Sequence, residues 1–310
     1  MKGRRLENHV MGAREWILIL ILSVIWGASF FFVEVAVATV PPFTLVMIRV
    51  GLAAAALWGF VLVTGRRVPA SGKVWASLAI MGALNNVLPF SLITWGQTLI
   101  DSSLAAILNA FSPVFSAILA HFLTREEQLT PGRLSGVLFG WAGVAVLIGV
   151  ASLGGDRMAV AGQLAVLGAS LLYAFAAIFG RRFKDLDPVV VAAGMLTGST
   201  LIMVPVAFTL EQPLAIFPTA AVWGAMAALA LVSTALAYII YFYVLARAGA
   251  TNILLVTFLI PVSAIFLGVA VLGESPGWNA FTGMAMIFAG LLAIDGRIFK
   301  WMGRRQGQRI

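Results

Sequence analysis

The side chains able to do chemistry in this chain are few, and they stand inside long apolar runs. Asn85 and Asn86 are adjacent and followed by Gln97, Asn109 leads Ser112 and Ser116 at spacings of three and four, and Thr257 stands alone in a later run. Amides and hydroxyls are costly in lipid, so they should face a protein interior or a cavity. There they can hydrogen-bond a solute or bond neighbouring helices, and the residues alone leave both readings open. Aromatic rings form a second set. Trp26 and Phe30 fall four apart, Phe90 and Trp95 lie beyond the Asn pair, Tyr173 sits in mid-chain, and Tyr238, Tyr241 and Phe242 share one side of a helix. Such rings can stack on an aromatic or cationic solute, or simply pack.

Two charges also lie inside apolar runs. Glu34 is six residues before the turn at Val40 to Pro42 and Arg49 is seven after it, so both sit about 9–10 Å deep at 1.5 Å per residue. Opposite charges at one depth on consecutive helices are expected to pair, either as a gate near one face or as a fixed brace; Glu34 can also serve as counter-charge to a solute amine or as a proton-coupling site. Pro89, Pro113 and Pro261 are expected to bend or interrupt their helices, each freeing a backbone carbonyl. Glu126 and Glu274 follow Pro113 and Pro261 by thirteen residues each and are read as interface charges at opposite faces.

Other chemistries lack their residues. Cys is absent, which removes disulfides, thiolate metal sites and thiol catalysis. Of two His, His9 lies in the N-terminal tail and His121 stands alone near a helix end, so the nucleophile–base cluster of a membrane enzyme, the alternative class considered, is not assembled. No Gly-rich nucleotide loop with Lys and Ser/Thr occurs, and no ring of like charge suggests a channel. Neither metal nor cofactor is expected, and the formal charge of +8 is not read as nucleic-acid binding because the basic residues sit between apolar spans.

The elements that must position these side chains follow from hydropathy. Of 310 residues, 61% are hydrophobic and 10% charged, with a mean hydropathy of +1.02, against roughly 25% charged in a soluble domain. Spans of ~20 apolar residues predict ten transmembrane helices at 16–39, 43–64, 73–97, 102–123, 132–151, 160–180, 188–210, 219–245, 251–272 and 277–298. The runs are too long and too uniformly apolar for barrel strands. The first is also too long for a signal core and lacks a cleavage site, so it is read as a retained helix. All but Arg49 and Arg157 of the 20 Lys and Arg fall in tails and loops on one side of this arrangement, which places both termini in the cytoplasm.

The chain also repeats. Asn109 to Pro113 with Glu126 matches Thr257 to Pro261 with Glu274, and Gly136 and Gly143 match Gly283 and Gly290. At an offset of 147, Trp26 aligns with Tyr173 and Pro41 with Pro188; at 148, Asn85 and Asn86 align with Ser233 and Thr234. Two units are predicted, 16–151 and 160–298, flanked by basic tails at 1–15 and 299–310. Five helices per unit is an odd number, so the second copy enters from the opposite side, as in many secondary transporters with a midplane site. The fold class is therefore an all-α membrane protein of two inverted five-helix repeats around a central cavity.

Ile25 to Phe30, Phe43 with Arg49, Asn109 with Pro113 and Glu126, and Pro261 with Glu274 together resemble the EamA-type branch of the drug/metabolite transporter superfamily over about 16–297. The resemblance implies a ten-helix basket whose cavity is lined by helices 1, 3, 4, 6, 8 and 9, which carry Trp26 and Tyr238, and no cofactor. It is most like the bacterial exporters of aromatic amino acids, which implies an inner-membrane secondary transporter working by alternating access, with multidrug or cation efflux as the alternative. Candidate solute contacts are Trp26, Phe30, Asn85, Asn86, Phe90, Asn109, Tyr173, Tyr238 and Thr257. The expected partners are a small solute and the bilayer, and the expected state is a monomer.

Overall fold

The computed structural model describes residues 12–123, 130–248, 250–253 and 255–295. All regular structure among them is helical. The principal helices are α1 (Ala13–Val37), α2 (Pro42–Val63), α3 (Gly72–Gly96), α4 (Ser102–Leu123), α5 (Pro131–Leu153), α6 (Arg157–Gly180), α7 (Pro188–Leu210), α8 (Ala220–Ala248), α9 (Leu255–Leu272) and α10 (Trp278–Asp295). Among the described residues, nine are long and apolar enough to cross a bilayer, whereas the apolar part of α10, Trp278–Ile294, is shorter. The chain is a multi-pass membrane protein. Glu126 and most of both tails lie outside the described residues.

Helix ends are set by local chemistry. Pro42, Pro131 and Pro188 open α2, α5 and α7, where a missing N–H costs nothing. Asp156 accepts from the Ala159 N–H to cap α6, Thr219 from the Val222 N–H to cap α8, and Asp187 from the N–H groups of Val189 and Val190 to cap α7. Carboxylates distant in sequence close two other ends. Glu211, at the end of α7, accepts from the N–H groups of Phe43 and Thr44 and from Thr44 Oγ1 at the start of α2. Glu274 accepts from the N–H and Oγ of both Ser102 and Ser103 at the start of α4, a cap rather than a plain interface charge. Gly273, at φ 72°, ends α9 in the left-handed region and turns the chain so that Glu274 can reach across.

The prolines act unequally. Pro113 is the second residue of the renewed helix Ser112–Leu123 after α4 breaks at Ala110 and Phe111. Pro89 follows a π-helical stretch at Ala83–Val87. Pro261, expected to interrupt α9, does not, because the α-helix runs unbroken over Leu255–Leu267. It is held there by close packing on α1, where Ser263 Oγ donates to the Ser23 carbonyl at 2.8 Å.

Packing is pairwise and tight. α2 lies on α7, α5 on α10, α1 on α9, and α4 and the second half of α3 on α6. Outward faces carry Leu62, Leu201 and Phe266, while Asn86, Ser170 and Ser199 are wholly buried, the distribution a lipid solvent requires. The α5–α10 seam is glycine against glycine: a Cβ on Gly290 would stand 2.5 Å from the Gly136 carbonyl oxygen, and one on Gly143 would stand 2.7 Å from that of Gly283. These four residues allow backbones to touch without a hydrophobic driving force between helices.

Two outcomes follow for the purified protein. Gly290→Ala should lower the thermal unfolding midpoint in detergent, because overpacking costs about 1–3 kcal/mol. Gly149→Ala, whose Cβ meets nothing within 4 Å, should leave the midpoint unchanged or raise it through the ~0.5–1 kcal/mol helix gain of Ala over Gly. The second concerns Asp187. Burial pushes its carboxyl up, but the hydrogen bond from Arg66 and the Val190 and Val189 N–H groups outweigh burial and hold it below its ordinary value; Arg66 Nη1 lies 2.6 Å away. That contribution is complete above the unfolded pKa of about 3.9 and is lost as pH falls through the lower folded value. Asp187→Asn keeps a capping oxygen and loses the charge, so its midpoint should fall below the native one at pH 7 by the equivalent of about 1 kcal/mol at most for a part-exposed pair. The gap should close below about pH 4.

Candidate solute-binding cavity

The middles of α3 and α8 widen into π-helical turns, at Ala83–Val87 and Ala228–Leu236. The first holds Asn85 and Asn86, the second Ser233 and Thr234, the polar pairs that the repeat aligns. A π turn adds a residue to a helical turn and redirects the side chains around it, and such turns concentrate at functional sites. Here they flank a cavity of about 610 Å³, within the range of small-molecule pockets, to which Asn85, Ser233 and Thr234 contribute.

The wall is largely aromatic. Trp26 and Phe30 come from α1, Phe90 from α3, Tyr173 from α6, and Tyr238 and Tyr241 from α8. The rings support one another, with Trp26 5.6 Å from Tyr241 and Tyr238 offset-stacked 6.2 Å from Phe242. Asn109 and Thr257, from the matched positions of α4 and α9, add to the polar lining. Of the nine expected solute contacts, Asn86 alone is off the wall. It is wholly buried behind it, donating to Ser199 Oγ of α7 at 3.1 Å and accepting from Tyr238 Oη at 3.0 Å. Asn85 Nδ2 in turn donates to Tyr238 Oη at 3.0 Å. One cavity residue, Tyr238, is thus fixed through α3 to α7.

Glu34 and Arg49 do not form the expected ion pair. Equal depth places two residues at one height but leaves their directions around each helix free, and the two side chains point to different partners. Glu34 Oε2 accepts from Gln97 Nε2 at 3.1 Å, and the same nitrogen donates to the Phe30 carbonyl at 2.9 Å. Arg49 donates from Nε to Thr234 Oγ1 at 2.9 Å and lies with Cζ 3.6 Å from the centroid of the Phe90 ring. Arg49 lines the cavity and Glu34 does not.

The two ends of the cavity differ. At one end the wall continues through Phe183, Lys184, Leu186 and Pro188 of the α6–α7 connection, next to the Arg66–Asp187 pair. At the other, the Gln97 bonds to α1 and the Glu274 cap on α4 tie α1, α3, α4 and α9 together. Gln97 was among the polar residues evident in sequence. Glu211 and Asp187 were not singled out, although Asp187-Pro188 carries the signature of a capped helix start. Glu211 offers no local signal, since its partners are more than 160 residues away.

Comparison with known proteins gives a consistent picture. The model of the EamA-like transporter family matches residues 14–149 and again 160–294. The uncharacterized transporter YoaV of Bacillus subtilis (strain 168) is 25% identical over 275 residues, covering 88% of this chain and 94% of that protein. The probable terminal-alkyne amino-acid exporter of Streptantibioticus cattleyicolor is 26% identical, covering 94% and 95%, and the probable amino-acid metabolite efflux pump of Salmonella typhimurium is 26% identical, covering 91% and 94%. A solved crystal structure superposes with a TM-score of 0.65 at 20% identity over 91% of this chain and 97% of the other, a likeness of fold. With its model matched across both halves, the chain belongs to the EamA-like transporter family.

Proposed function

We propose that the protein is a secondary transporter that exports small metabolites, foremost amino acids and among them aromatic ones, by alternating access around this cavity. The observation that carries the reading is a ligand-sized, aromatic-walled cavity inside a membrane-spanning chain, with polar groups at matched positions of both halves. The naming of two relatives as amino-acid exporters or efflux pumps supports the substrate class.

The units 16–151 and 160–298 are proposed as inverted repeats. Exchanging α1–α5 with α6–α10 turns the contact of α1 with α9 into that of α6 with α4, and α1 with α8 into α6 with α3; α2 with α7 and α5 with α10 map onto themselves. A two-fold axis in the membrane plane has this consequence. Loop charge supports cytoplasmic termini and puts the α6–α7 end, with Arg181, Arg182 and Lys184, in the cytoplasm. The cavity then faces inward, with the Gln97 and Glu274 bonds as the outer closure. One chain supplies the whole wall, so a monomer suffices.

The second reading, efflux of cationic drugs, is favoured by the aromatic wall. The two separate in proteoliposomes loaded with labelled tryptophan, phenylalanine, threonine or a cationic dye, with and without a pH gradient. Saturable amino-acid flux is expected, falling about tenfold or more in Trp26→Ala and Asn109→Ala, since 1.4 kcal/mol of lost contact is a factor of ten. Dye flux without amino-acid flux overturns the substrate assignment, and gradient-dependent flux identifies proton coupling.

A further inference from the structure

The buried cation in the cavity wall is more informative than the ring count. Arg49 stands in the first half of α2, within the span, and is 7% exposed. Its interactions among the described residues are the Nε bond to Thr234 and the Phe90 face, and the ionisable groups beside it are the phenols of Tyr173 and Tyr238. Among the described residues no carboxylate pairs with it. A guanidinium stays charged at any physiological pH, and an uncompensated ion inside a membrane protein is expensive. Stacking on Phe90 and the single bond at Nε fix the plane of the group and leave both terminal nitrogens unbonded within the protein. That is the edge with which Arg grips a carboxylate through two parallel hydrogen bonds.

Two further groups on the same wall lack partners. Gln97 Oε1 and Asn109 Oδ1 are buried and accept no hydrogen bond, and both residues contribute to the cavity lining.

We infer that Arg49 is the specificity-determining anchor for a solute carboxylate, so that the cavity takes organic acids with an apolar or aromatic body and turns away solutes whose only charge is positive. This rests on the transport reading above. The opposing account makes Arg49 a brace between α2 and α8.

The test uses tryptophan, indole-3-propionate (carboxylate, no amine), tryptophanamide and tryptamine (amine, no carboxylate), each measured for ligand-induced thermal shift on the purified protein and for flux in liposomes. In the native protein the two carboxylates should shift the midpoint and compete for flux, and the amide and amine should do neither. Arg49→Gln should weaken carboxylate binding about 10- to 100-fold, the range of a lost charged hydrogen bond, with partial recovery in Arg49→Lys. Binding of tryptamine or tryptophanamide as tight as that of tryptophan overturns the anchor even if no variant folds. Equal loss for all four ligands in Arg49→Gln overturns it in favour of the brace, as does absence of any carboxylate-induced shift. Carboxylate shifts that depend on Arg49 without saturable flux uphold the anchor and overturn the transport reading instead.

Discussion

A bilayer supplies no water to hydrogen-bond a buried polar group, so each departure from regular helix inside it must be satisfied by another part of the protein or opened to a cavity. The features of this structure that matter follow from that constraint. The π turns of α3 and α8 loosen the backbone where four polar side chains gather, and the loosened stretches border the cavity or are pinned by it: Thr234 bonds both the Leu229 carbonyl of its own turn and Arg49, and Ser233 donates to the Ile25 carbonyl of α1. Asn86, with no exposed surface, is tolerated because Tyr238, Ser199 and Asn85 all engage it.

Helix ends obey the same constraint at the membrane boundary. The first N–H groups of a helix have no internal partner, and here α2 and α4 receive carboxylates from the far end of another helix while α7 supplies its own and secures it with Arg66. The Glu211 and Glu274 caps join segments more than 160 residues apart, so each satisfies a helix end and fixes one helix against another. Such a closure can be released without unfolding either helix, since a serine-rich or threonine-bearing N-terminus can be solvated when it separates from its carboxylate. Glycine seams behave oppositely. The α5–α10 contact is backbone on backbone, leaving nothing to rearrange, and it suits a fixed scaffold rather than a moving joint.

What was legible in the sequence divides along physical lines. Span number and ends depend on summed hydropathy and on Pro and Gly at the turns, which are local, and the described helices begin and end within a few residues of expectation. Repeat alignment paired Asn85 with Ser233 and Asn109 with Thr257, and all four residues contribute to the wall of the one cavity. The Glu34–Arg49 pair was misread because depth is one coordinate of three: rise per residue gives height, whereas azimuth and rotamer depend on neighbours that the sequence does not place. That Pro261 does not interrupt α9 was beyond reach for a related reason, since what a proline does to a membrane helix depends on the helix packed against it. The π turns carry no composition signal at all; they became visible only in the backbone.

The asymmetry at Arg49 links these observations. Under the repeat, its counterpart is Leu196, wholly buried on α7, so the one cation on the span-depth wall has no twin. On the proposed inverted repeat, two pseudo-symmetric halves offer similar amides and rings to a solute from both sides, and similar walls on their own do not orient what lies between them. On the proposed anchor, a single fixed charge, held in plane by Phe90 and Thr234, removes that degeneracy: a solute with one anionic end and one apolar end has one low-energy orientation, with its acid toward α2 and its body against the rings of α1, α6 and α8. Arg49 is held between Phe90 of α3 in its own half and Thr234 of α8 in the other. On the proposed mechanism, the solute's anchor therefore spans the joint between repeats, which couples occupancy of the cavity to the relative position of the two halves.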